Sequence, residues 1–328
     1  MNRRNSIKTM ITAGIGFSLP LPLFSKTYNK PNKIMSKRKQ NTPFYHFEVG
    51  DFDATVISDG QSLFPAYPLY AVNVKEEEVA KSLTSYFLPE KDYLLQCNCL
   101  LLERENEKIL IDTGAGKSLG DGFGMLNDNL KKLGVTGEEI TAVLLTHCHL
   151  DHIGGLTMNE EQVFPNAVVH ICEKEWNFWS TSSVDLSSMP IEQGFRDNFK
   201  NAVGVNLVPF KNNIKTFRYG EEVLSGIQAI DASGHSPGHT CFWIKSGADS
   251  LLHTGDIFHH PAFDLKHPEW ATAFDQDAKQ AYKKRIKVVD MAVAERITVL
   301  SYHTPFPAFG NIQKLANGYQ WIPSTWLI

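Results

Sequence analysis

The 328-residue chain contains little cysteine and lacks the C-x-x-C pattern. Its cysteines are Cys97, Cys99, Cys148, Cys172 and Cys241. An odd number of cysteines without that pattern argues against a disulfide scaffold and against a zinc site built from cysteines. Cys97 and Cys99 lie in the apolar segment "YLLQCNCLLLE", which predicts a β-strand. We therefore expect both of them to be ordinary strand residues.

An excess of basic residues and a long apolar run are also absent. The formal net charge is -4, which offers no electrostatic reason to bind nucleic acid. Beyond the first residues, no apolar run reaches the roughly 18 residues that a membrane-spanning helix needs. Apolar residues at 42% and charged residues at 21% are typical of a globular protein. We expect no nucleic-acid partner and no stable insertion into a membrane.

The N-terminus differs from the rest of the chain. A basic start is followed by an uncharged stretch and then by polar residues, which is the layout of a secretory signal. Arg3 and Arg4 resemble a twin-arginine export signal, although Ser6 replaces the usual bulky apolar residue. No clean cleavage site follows. We expect residues 1–30 to be an export signal that directs the protein to the periplasm. A basic tail on a cytoplasmic protein is the alternative.

Residues 31–43 have the polar composition of a linker, and residues 44–328 are expected to form one folded domain. Within it, short strand-like runs alternate with helical ones. "FEVGDFDATVISDG" predicts a hairpin, "ITAVLLT" a buried strand, and "QDAKQAYKKRIKVVDMAVAE" a long helix. Strands in runs with helices between them predict an α/β or α+β architecture.

A cluster of ligand-capable side chains follows the strand "TAVLLT". The segment "THCHLDHIGG" contains three histidines and an aspartate within six positions. Imidazole nitrogen and carboxylate oxygen are the usual ligands of a cation such as zinc. In an extended chain, His147 and His149 project to one side and Cys148 to the other, so Cys148 is expected to pack. Asp151 and His152 offer ligands to a second position. A polar loop with accidental histidines is the alternative, and the density of the cluster argues against it.

Three later segments share this pattern of an apolar strand that ends in a ligand-capable residue. "IQAIDASGHSPGHT" offers His235 and His239, "SLLHTGD" offers Asp256, and "ITVLSYHTPFP" offers His303. In this order, together with the first cluster, the segments resemble the metal-binding signature of the metallo-β-lactamase superfamily. The resemblance runs from about residue 47 to residue 310, so it covers nearly all of the expected domain.

This resemblance implies a metallo-β-lactamase αββα sandwich with two divalent metal ions, expected to be zinc, at one edge of the paired sheets. The implied ligands are His147, His149 and His235 for the first metal, Asp151, His152 and His303 for the second, and Asp256 as the bridge. Asp112 and His239 are implied as supporting residues rather than ligands. The other histidines, His46, His170, His253 and His267, match nothing in the signature and are expected at packing or surface positions.

The implied metal pair points to hydrolysis. Two such cations lower the pKa of a shared water to about 7, so hydroxide is present at neutral pH, and they polarise a carbonyl or phosphoryl oxygen. Asp151 is expected to act catalytically by passing a proton to the leaving group. The domain over 44–328 is therefore expected to be a catalytic domain. A non-catalytic metal-binding protein is the alternative from another class.

Within the superfamily, the chain resembles the methyl parathion hydrolase and N-acyl-homoserine lactonase group. The features are the leader, "GDIFHH" and the ending "YHTPFPAFG". Trp179 and Phe195 are expected to wall the substrate pocket, whereas Trp176 and Phe199 are expected to pack helices on a sheet. The expected substrate is a small lactone or ester, above all an N-acyl-homoserine lactone, whose opening is quorum quenching. Organophosphate triesters are the alternative. The sequence leaves open whether the chain forms a homodimer.

His259 is a departure from the lactonases of this group. They place a tyrosine three residues after the bridging aspartate, where its hydroxyl can donate to the substrate carbonyl. Counting from Asp256, this chain has His259 there. A neutral imidazole N–H can make the same donation. We therefore expect His259 to lie in the pocket and to act as the carbonyl donor, and a solvent-facing histidine is the alternative.

Overall fold

The computed structural model describes residues 41–181 and 183–325. The expected export signal and the linker up to residue 40 lie outside the described residues. The first strand begins at Phe44. Within the described ranges, no helix has both the length and the apolar composition that crossing a membrane requires.

Two seven-stranded sheets form the centre of the molecule. The first sheet contains, in spatial order, β1 (Phe44–Val49), β2 (Phe52–Pro65), β3 (Asp92–Arg104), β4 (Glu107–Ile111), β5 (Ala142–Leu144), β8 (Val168–Cys172) and β9 (Ile214–Phe217). The second contains β10 (Glu222–Leu224), β11 (Ile227–Asp231), β12 (Thr240–Ser246), β13 (Asp249–His253), β14 (Thr298–Leu300), β15 (Phe309–Lys314) and β16 (Tyr319–Pro323). A separate small hairpin pairs β6 (Thr157–Met158) with β7 (Glu161–Gln162).

The helices cover the outer faces of these sheets. They are α1 (Glu76–Ser85), α2 (Leu126–Lys132), α3 (Leu150–Ile153), α4 (Glu173–Trp179), α5 (Gln193–Ala202) and α6 (Ala278–Ala294). The long helix that the sequence predicted is α6. Its buried residues Ala281, Val288 and Ala292 recur at helical spacing, and Val288 and Ala292 pack on the outer face of the second sheet.

Alternation along β3 shows how the layers are held together. Leu100 and Leu102 face the second sheet, and Cys99 and Leu101 face the helices on the other side. Strands whose two faces are both buried read as continuous apolar runs, which explains the "CNCLLL" segment. The layers are thus helices, sheet, sheet and helices. The predicted αββα sandwich is confirmed, and so is the strand position of Cys97 and Cys99.

The C-terminal hairpin of β15 and β16 was not among the predicted elements. Only Gly310 and Ile312 of β15, and Tyr319 of β16, are buried. A hairpin that buries so few side chains has no clear apolar alternation, so its sequence carries little strand signal.

The strand directions place the ends of four strands at one edge. β13 and β14 are parallel, and β11 runs in the same direction because β12 is antiparallel to both β11 and β13. In the first sheet, β5 lies between the parallel strands β4 and β8. The loops that leave β5, β11, β13 and β14 carry the predicted ligands, and they meet at this edge.

Candidate active site

The structure brings all of the predicted metal ligands together in two groups. One group is formed by His147, His149 and His235, and the other by Asp151, His152, Asp256 and His303; a third, overlapping group joins His259 to His235 and Asp256. Within each group the ligand atoms lie within 4.8 Å of one another. Residues almost 160 positions apart in the chain therefore converge on one small volume, as their order in the sequence predicted.

Asp256 lies between the two groups. Its Oδ2 atom is 3.4 Å from His235 Nε2 in the first group and 3.2 Å from His303 Nε2 in the second. Its Oδ1 atom is 3.3 Å from His152 Nε2. One carboxylate thus contacts both groups, which is the position that a bridging ligand requires.

The unpaired nitrogens at this edge fit divalent metal ions. The Nε2 atoms of His147, His149, His152 and His235 are buried and have no hydrogen-bond partner among the described residues. A buried polar atom without a partner is unfavourable and rare, so four that converge need a common explanation. Imidazole nitrogens together with carboxylates are the donor set that zinc and similar cations prefer. The residues therefore fit a metal centre.

Asp112 supports the second group from behind. Its Oδ2 atom lies 2.8 Å from His152 Nδ1, and its two oxygens accept hydrogen bonds from the backbone N–H and the hydroxyl of Thr146. The backbone of Asp112 is left-handed, with φ of 57°. A carboxylate on Nδ1 fixes the imidazole so that Nε2 faces the metal position. Asp112 thus occupies the supporting position that the resemblance implied.

Two further partners orient ligands in the same way. His235 Nδ1 is 2.9 Å from Asp275 Oδ1, and His303 Nδ1 is 2.7 Å from the backbone oxygen of Gln96. In both cases the N–H donates away from the centre, which leaves Nε2 free to bind metal. Asp275 was not found from the sequence, because nothing in "ATAFDQD" marks it as a partner of a histidine 40 residues earlier.

His239 lies beside the ligands without joining either group. Its Nδ1 donates to the backbone oxygen of Ala232 at 3.1 Å, and its Nε2 accepts from the backbone N–H of Asp256 at 3.0 Å. Both ring nitrogens are therefore occupied. Burial lowers the pKa of His239 to about 3, which keeps the ring neutral. The ring thus fixes the backbone of Asp256.

The predicted ligand histidines differ in the direction of their pKa shifts. Burial holds the pKa of His147 and of His149 well below its usual range, so these rings are neutral, which is the form that binds metal. At His152 burial also lowers the pKa, but Asp256, Asp112 and Asp151 outweigh it and raise the pKa to about 10. The same negative charge that favours a proton there favours a cation.

A cleft opens onto both groups. It has aromatic walls formed by Phe64, Tyr70, Phe195, Phe199 and Phe274, and Leu95, Leu119 and Leu150 complete its apolar lining. The polar end of the cleft is formed by His259 and by five of the predicted ligands, His149, Asp151, His235, Asp256 and His303. The expected pocket residue Phe195 is thus on the wall.

Trp179 and Phe199 have the opposite positions from those predicted: Phe199 lines the cleft and Trp179 does not. Trp179 does not line the cleft, because its indole is turned inward and donates to Glu175 Oε1 at 2.7 Å. It meets His149 edge-on at 6.1 Å from behind. Phe199, which was expected to pack, lies on the wall and meets the His149 ring edge-on at 4.8 Å. A buried indole N–H needs an acceptor, and Glu175 supplies one on the inner side.

His259 lies in the cleft, but its N–H is already used. Its Nδ1 is 2.7 Å from Asp264 Oδ2, and its backbone N–H donates to Asp264 Oδ1 at 2.8 Å. A neutral ring that donates from Nδ1 has a lone pair on Nε2. The Nε2 atom, 3.5 Å from Asp256 Oδ2, is the one that faces the centre. In that neutral form Nε2 accepts, so the predicted donation to a carbonyl would require a ring that is protonated on both nitrogens.

The charge on His259 depends on its two carboxylate neighbours. Burial lowers its pKa, but Asp264 and Asp256 outweigh burial and raise the pKa to about 9. A divalent cation on Asp256 would cancel the contribution of that carboxylate. If the ring is neutral in the metal-loaded protein, the contact with Asp264 holds its proton on Nδ1 and Nε2 is an acceptor.

The remaining histidines that the signature left unmatched stay outside both groups. His170 and His253 are buried in their strands, and His267 stacks on Trp270 at 4.2 Å. His46 contacts the Thr55 hydroxyl at 2.8 Å. Their packing and surface positions agree with what the sequence suggested.

Known proteins share both the sequence signature and the fold. The family model of the metallo-beta-lactamase superfamily matches residues 92–298. An N-acyl homoserine lactonase from Bacillus sp is 25% identical over 231 residues, which is 64% of this chain and 82% of the relative. The N-acyl homoserine lactonase AiiA of Bacillus thuringiensis subsp. kurstaki is 25% identical over 229 residues, covering 63% and 82%.

Two solved structures resemble most of the chain. AidC, a dizinc quorum-quenching lactonase solved with a product, superposes with a TM-score of 0.81 and 26% identity, over 87% of this chain and 98% of that one. The hydrolase AbOPH superposes with a TM-score of 0.80 and 28% identity, covering 88% and 100%. With paired sheets, two ligand groups and a family match over residues 92–298, the chain belongs to the metallo-beta-lactamase superfamily and is a metal-dependent hydrolase.

Proposed function

We propose that this chain is a dizinc lactonase that opens the ring of N-acyl-homoserine lactones. The observation that carries the proposal is the cleft, which joins a polar end at the ligand groups to walls of phenylalanine and leucine. A substrate with a reactive ester at one end and an acyl chain at the other matches this division. The lactonase relatives and AidC support the choice of substrate.

The two ligand groups would each hold one zinc ion. His147, His149 and His235 would bind the first, Asp151, His152 and His303 the second, and Asp256 both. When bound, such a pair activates water for attack and polarises the carbonyl that is attacked. The chain itself must then hold the substrate, exclude water and move the proton.

Asp151 would move that proton. With 14% of its side chain exposed, it is the most accessible member of the ligand groups, and it lines the cleft. Its Oδ2 atom is 3.3 Å from His303 Nε2, and the hydroxyl of Tyr302 donates to its backbone oxygen at 2.7 Å. A carboxylate fixed at the open side of the centre can take a proton from the nucleophile and give it to the leaving alkoxide.

His259 would recognise the amide of the acyl chain. An N-acyl-homoserine lactone carries one amide N–H beside the ring. With its Nδ1–H committed to Asp264, a neutral His259 would present a lone pair on Nε2 to the cleft and would accept that N–H. The residue would then favour amide-bearing lactones over simple lactones.

The acyl chain would lie along the aromatic wall. Phe195 and Phe199 meet edge-on at 5.3 Å, and Phe274 lies 6.2 Å from the first ring and 6.5 Å from the second. These three rings form a continuous apolar surface beside the ligands. Trp179 would act from behind it by holding His149 and Glu175 in place.

The test is a substrate panel on purified protein of measured metal content. N-acyl-homoserine lactones, simple lactones, aryl esters and phosphotriesters are assayed side by side. We expect the highest kcat/KM for an N-acyl-homoserine lactone with a medium or long chain. The highest value for a phosphotriester would instead assign an organophosphate triesterase. If fully metal-loaded protein turned over none of these substrates, the chain would be a non-catalytic metal-binding protein.

A further inference from the structure

Tyr70 is a fixed phenol on the wall of the cleft that no motif indicated. Its side chain is 2% exposed. The ring stacks on Phe263 at 5.5 Å and meets Tyr93 edge-on at 4.8 Å. The flanking backbone is also held, because the Val72 N–H donates to Ala271 and Leu69 accepts from Ala273. Ring and backbone together give the hydroxyl a defined position.

The hydroxyl of Tyr70 has no hydrogen-bond partner in the described part of the chain. Two other buried tyrosines near the site are paired: Tyr93 donates to the backbone oxygen of His303 at 2.8 Å, and Tyr302 donates to that of Asp151 at 2.7 Å. A cleft-lining hydroxyl that lacks a protein partner is available to a ligand.

The surroundings of Tyr70 keep it a donor close to the centre. Burial raises its pKa well above the usual range, and the charges of Asp151 and Asp256 act in the same direction. The phenol is thus protonated at neutral pH. Its ring meets the ring of His259 edge-on at 5.6 Å, on the side of the cleft where the ligands lie.

Tyr70 and His259 are neighbours in the cleft and differ in the hydrogen bonds that they can offer. His259 commits its Nδ1 to Asp264 at 2.7 Å, so this nitrogen is not available to the substrate. Tyr70, beside it, has a free O–H. We propose that the Tyr70 hydroxyl donates a hydrogen bond to the carbonyl oxygen of the substrate at the metal centre. This inference rests on the proposed function insofar as the substrate is a lactone or ester with such an oxygen.

The test is Tyr70→Phe, which keeps the ring and its packing and removes only the hydroxyl. Because a donor acts most strongly on the charge that develops in the transition state, we expect kcat to fall about 100-fold with little change in KM. Metal content should remain that of the wild type. The thermal midpoint should be unchanged or higher, since no protein hydrogen bond is lost. A tyrosine with a merely structural hydroxyl would lower it.

The matched control is Tyr282→Phe, a half-exposed tyrosine on α6 that lies outside the cleft. It should behave as wild type in every measurement. An unchanged kcat in Tyr70→Phe overturns the proposal, and so does a rise in KM alone, because the hydroxyl would then bind another part of the substrate. If the wild type opens lactones, such results remove only the role of Tyr70. If the wild type acts on no lactone or ester, both proposals fall.

Discussion

The carboxylate of Glu175 accepts a hydrogen bond from the backbone N–H of Cys148 at 2.9 Å. Cys148 separates His147 from His149, so this contact holds the first ligand loop. The other carboxylate oxygen accepts from the Ser236 hydroxyl and the Gly238 N–H, both at 2.7 Å. One buried carboxylate on α4 therefore joins the two loops that supply the first group of ligands.

The first prediction concerns Glu175→Gln. An amide would place N–H donors where the carboxylate now accepts, opposite at least one donor that has no other partner. We expect metal affinity at the first site to fall about 10- to 100-fold, in the range seen when partners of metal ligands are removed. Metal analysis after dialysis against graded chelator should show one metal lost more readily than the other.

Glu173→Gln is the matched control on the same helix. Glu173 is half-exposed and pairs with Arg218 at 2.7 Å, away from both loops. This variant should keep the metal content and activity of the wild type. Equal retention of both metals by Glu175→Gln and Glu173→Gln would show that the loops do not depend on the buried carboxylate.

The second prediction concerns metal count and Asp256→Ala. Purified protein should carry about two divalent metals per chain, because the ligands form two groups. Removing the carboxylate that contacts both groups should weaken or abolish at least one site and reduce hydrolysis about 100-fold or more. Asp249→Ala, an exposed change at the start of the strand that precedes Asp256, should have no effect. A fully loaded and fully active Asp256→Ala protein would remove Asp256 from the bridge.

The metal ligands were predictable because each is local. Every one lies directly after an apolar strand, and the group around His147 and Asp151 is dense enough to be seen in ten residues. The layers were predictable for the same reason. The apolar run "CNCLLL" indicates a strand that is buried on both faces, and the apolar spacing along α6 indicates a helix that is buried on one face. Ligand clusters and burial patterns of this kind are encoded within short segments, so the sequence alone predicts them.

The residues behind the ligands were not predictable, because their partners are distant. Glu175 binds Gly238, 63 positions later, and Asp275 binds His235, 40 positions earlier. Before folding, each resembles any solvated carboxylate. The exchange of Trp179 and Phe199 has a similar cause. The faces that α4 and α5 turn toward the cleft are set by packing on the sheet and by one indole hydrogen bond, which no spacing within either helix encodes.

The third prediction concerns His259→Phe, which keeps a ring and removes the acceptor. If Nε2 accepts the amide N–H of the substrate, KM for N-acyl-homoserine lactones should rise about 10-fold, the scale of one lost hydrogen bond. Simple lactones without that N–H should be affected much less, and metal content should be unchanged. Steady-state kinetics on both substrate classes provide the comparison. A fall in kcat with unchanged KM for both classes would instead restore His259 as the carbonyl donor.

The fourth prediction concerns the N-terminus. If residues 1–30 form an export signal, fractionation of a native host should find a shortened protein outside the cytoplasm. Replacing Arg3 and Arg4 by lysine should retain full-length protein inside, since the pair is what resembles a twin-arginine signal. Immunoblots of the fractions, with N-terminal sequencing of the shortened form, provide the measurement. Full-length protein found only in the cytoplasm would leave the segment a basic tail.

The fifth prediction concerns acid stability and His170, which lies on β8 and outside both ligand groups. Burial, with a smaller contribution from Lys215, lowers its pKa to about 4. In the unfolded chain a histidine has a pKa of about 6.5. The unfolded state therefore binds the extra proton between these values, and folding stability falls as pH decreases from about 6.5 to about 4.

His170→Gln removes this one titration while the ligand histidines continue to titrate. Chemical denaturation at pH 7.5 and pH 5 should show that the wild type loses about 1 to 2 kcal/mol more than the variant between the two conditions. His46→Gln, at an exposed position of β1, is the matched histidine substitution for comparison. Identical losses of stability in wild type and His170→Gln would contradict this prediction. His170 would then take up its proton as readily in the folded state as in the unfolded chain, because water reaches the ring.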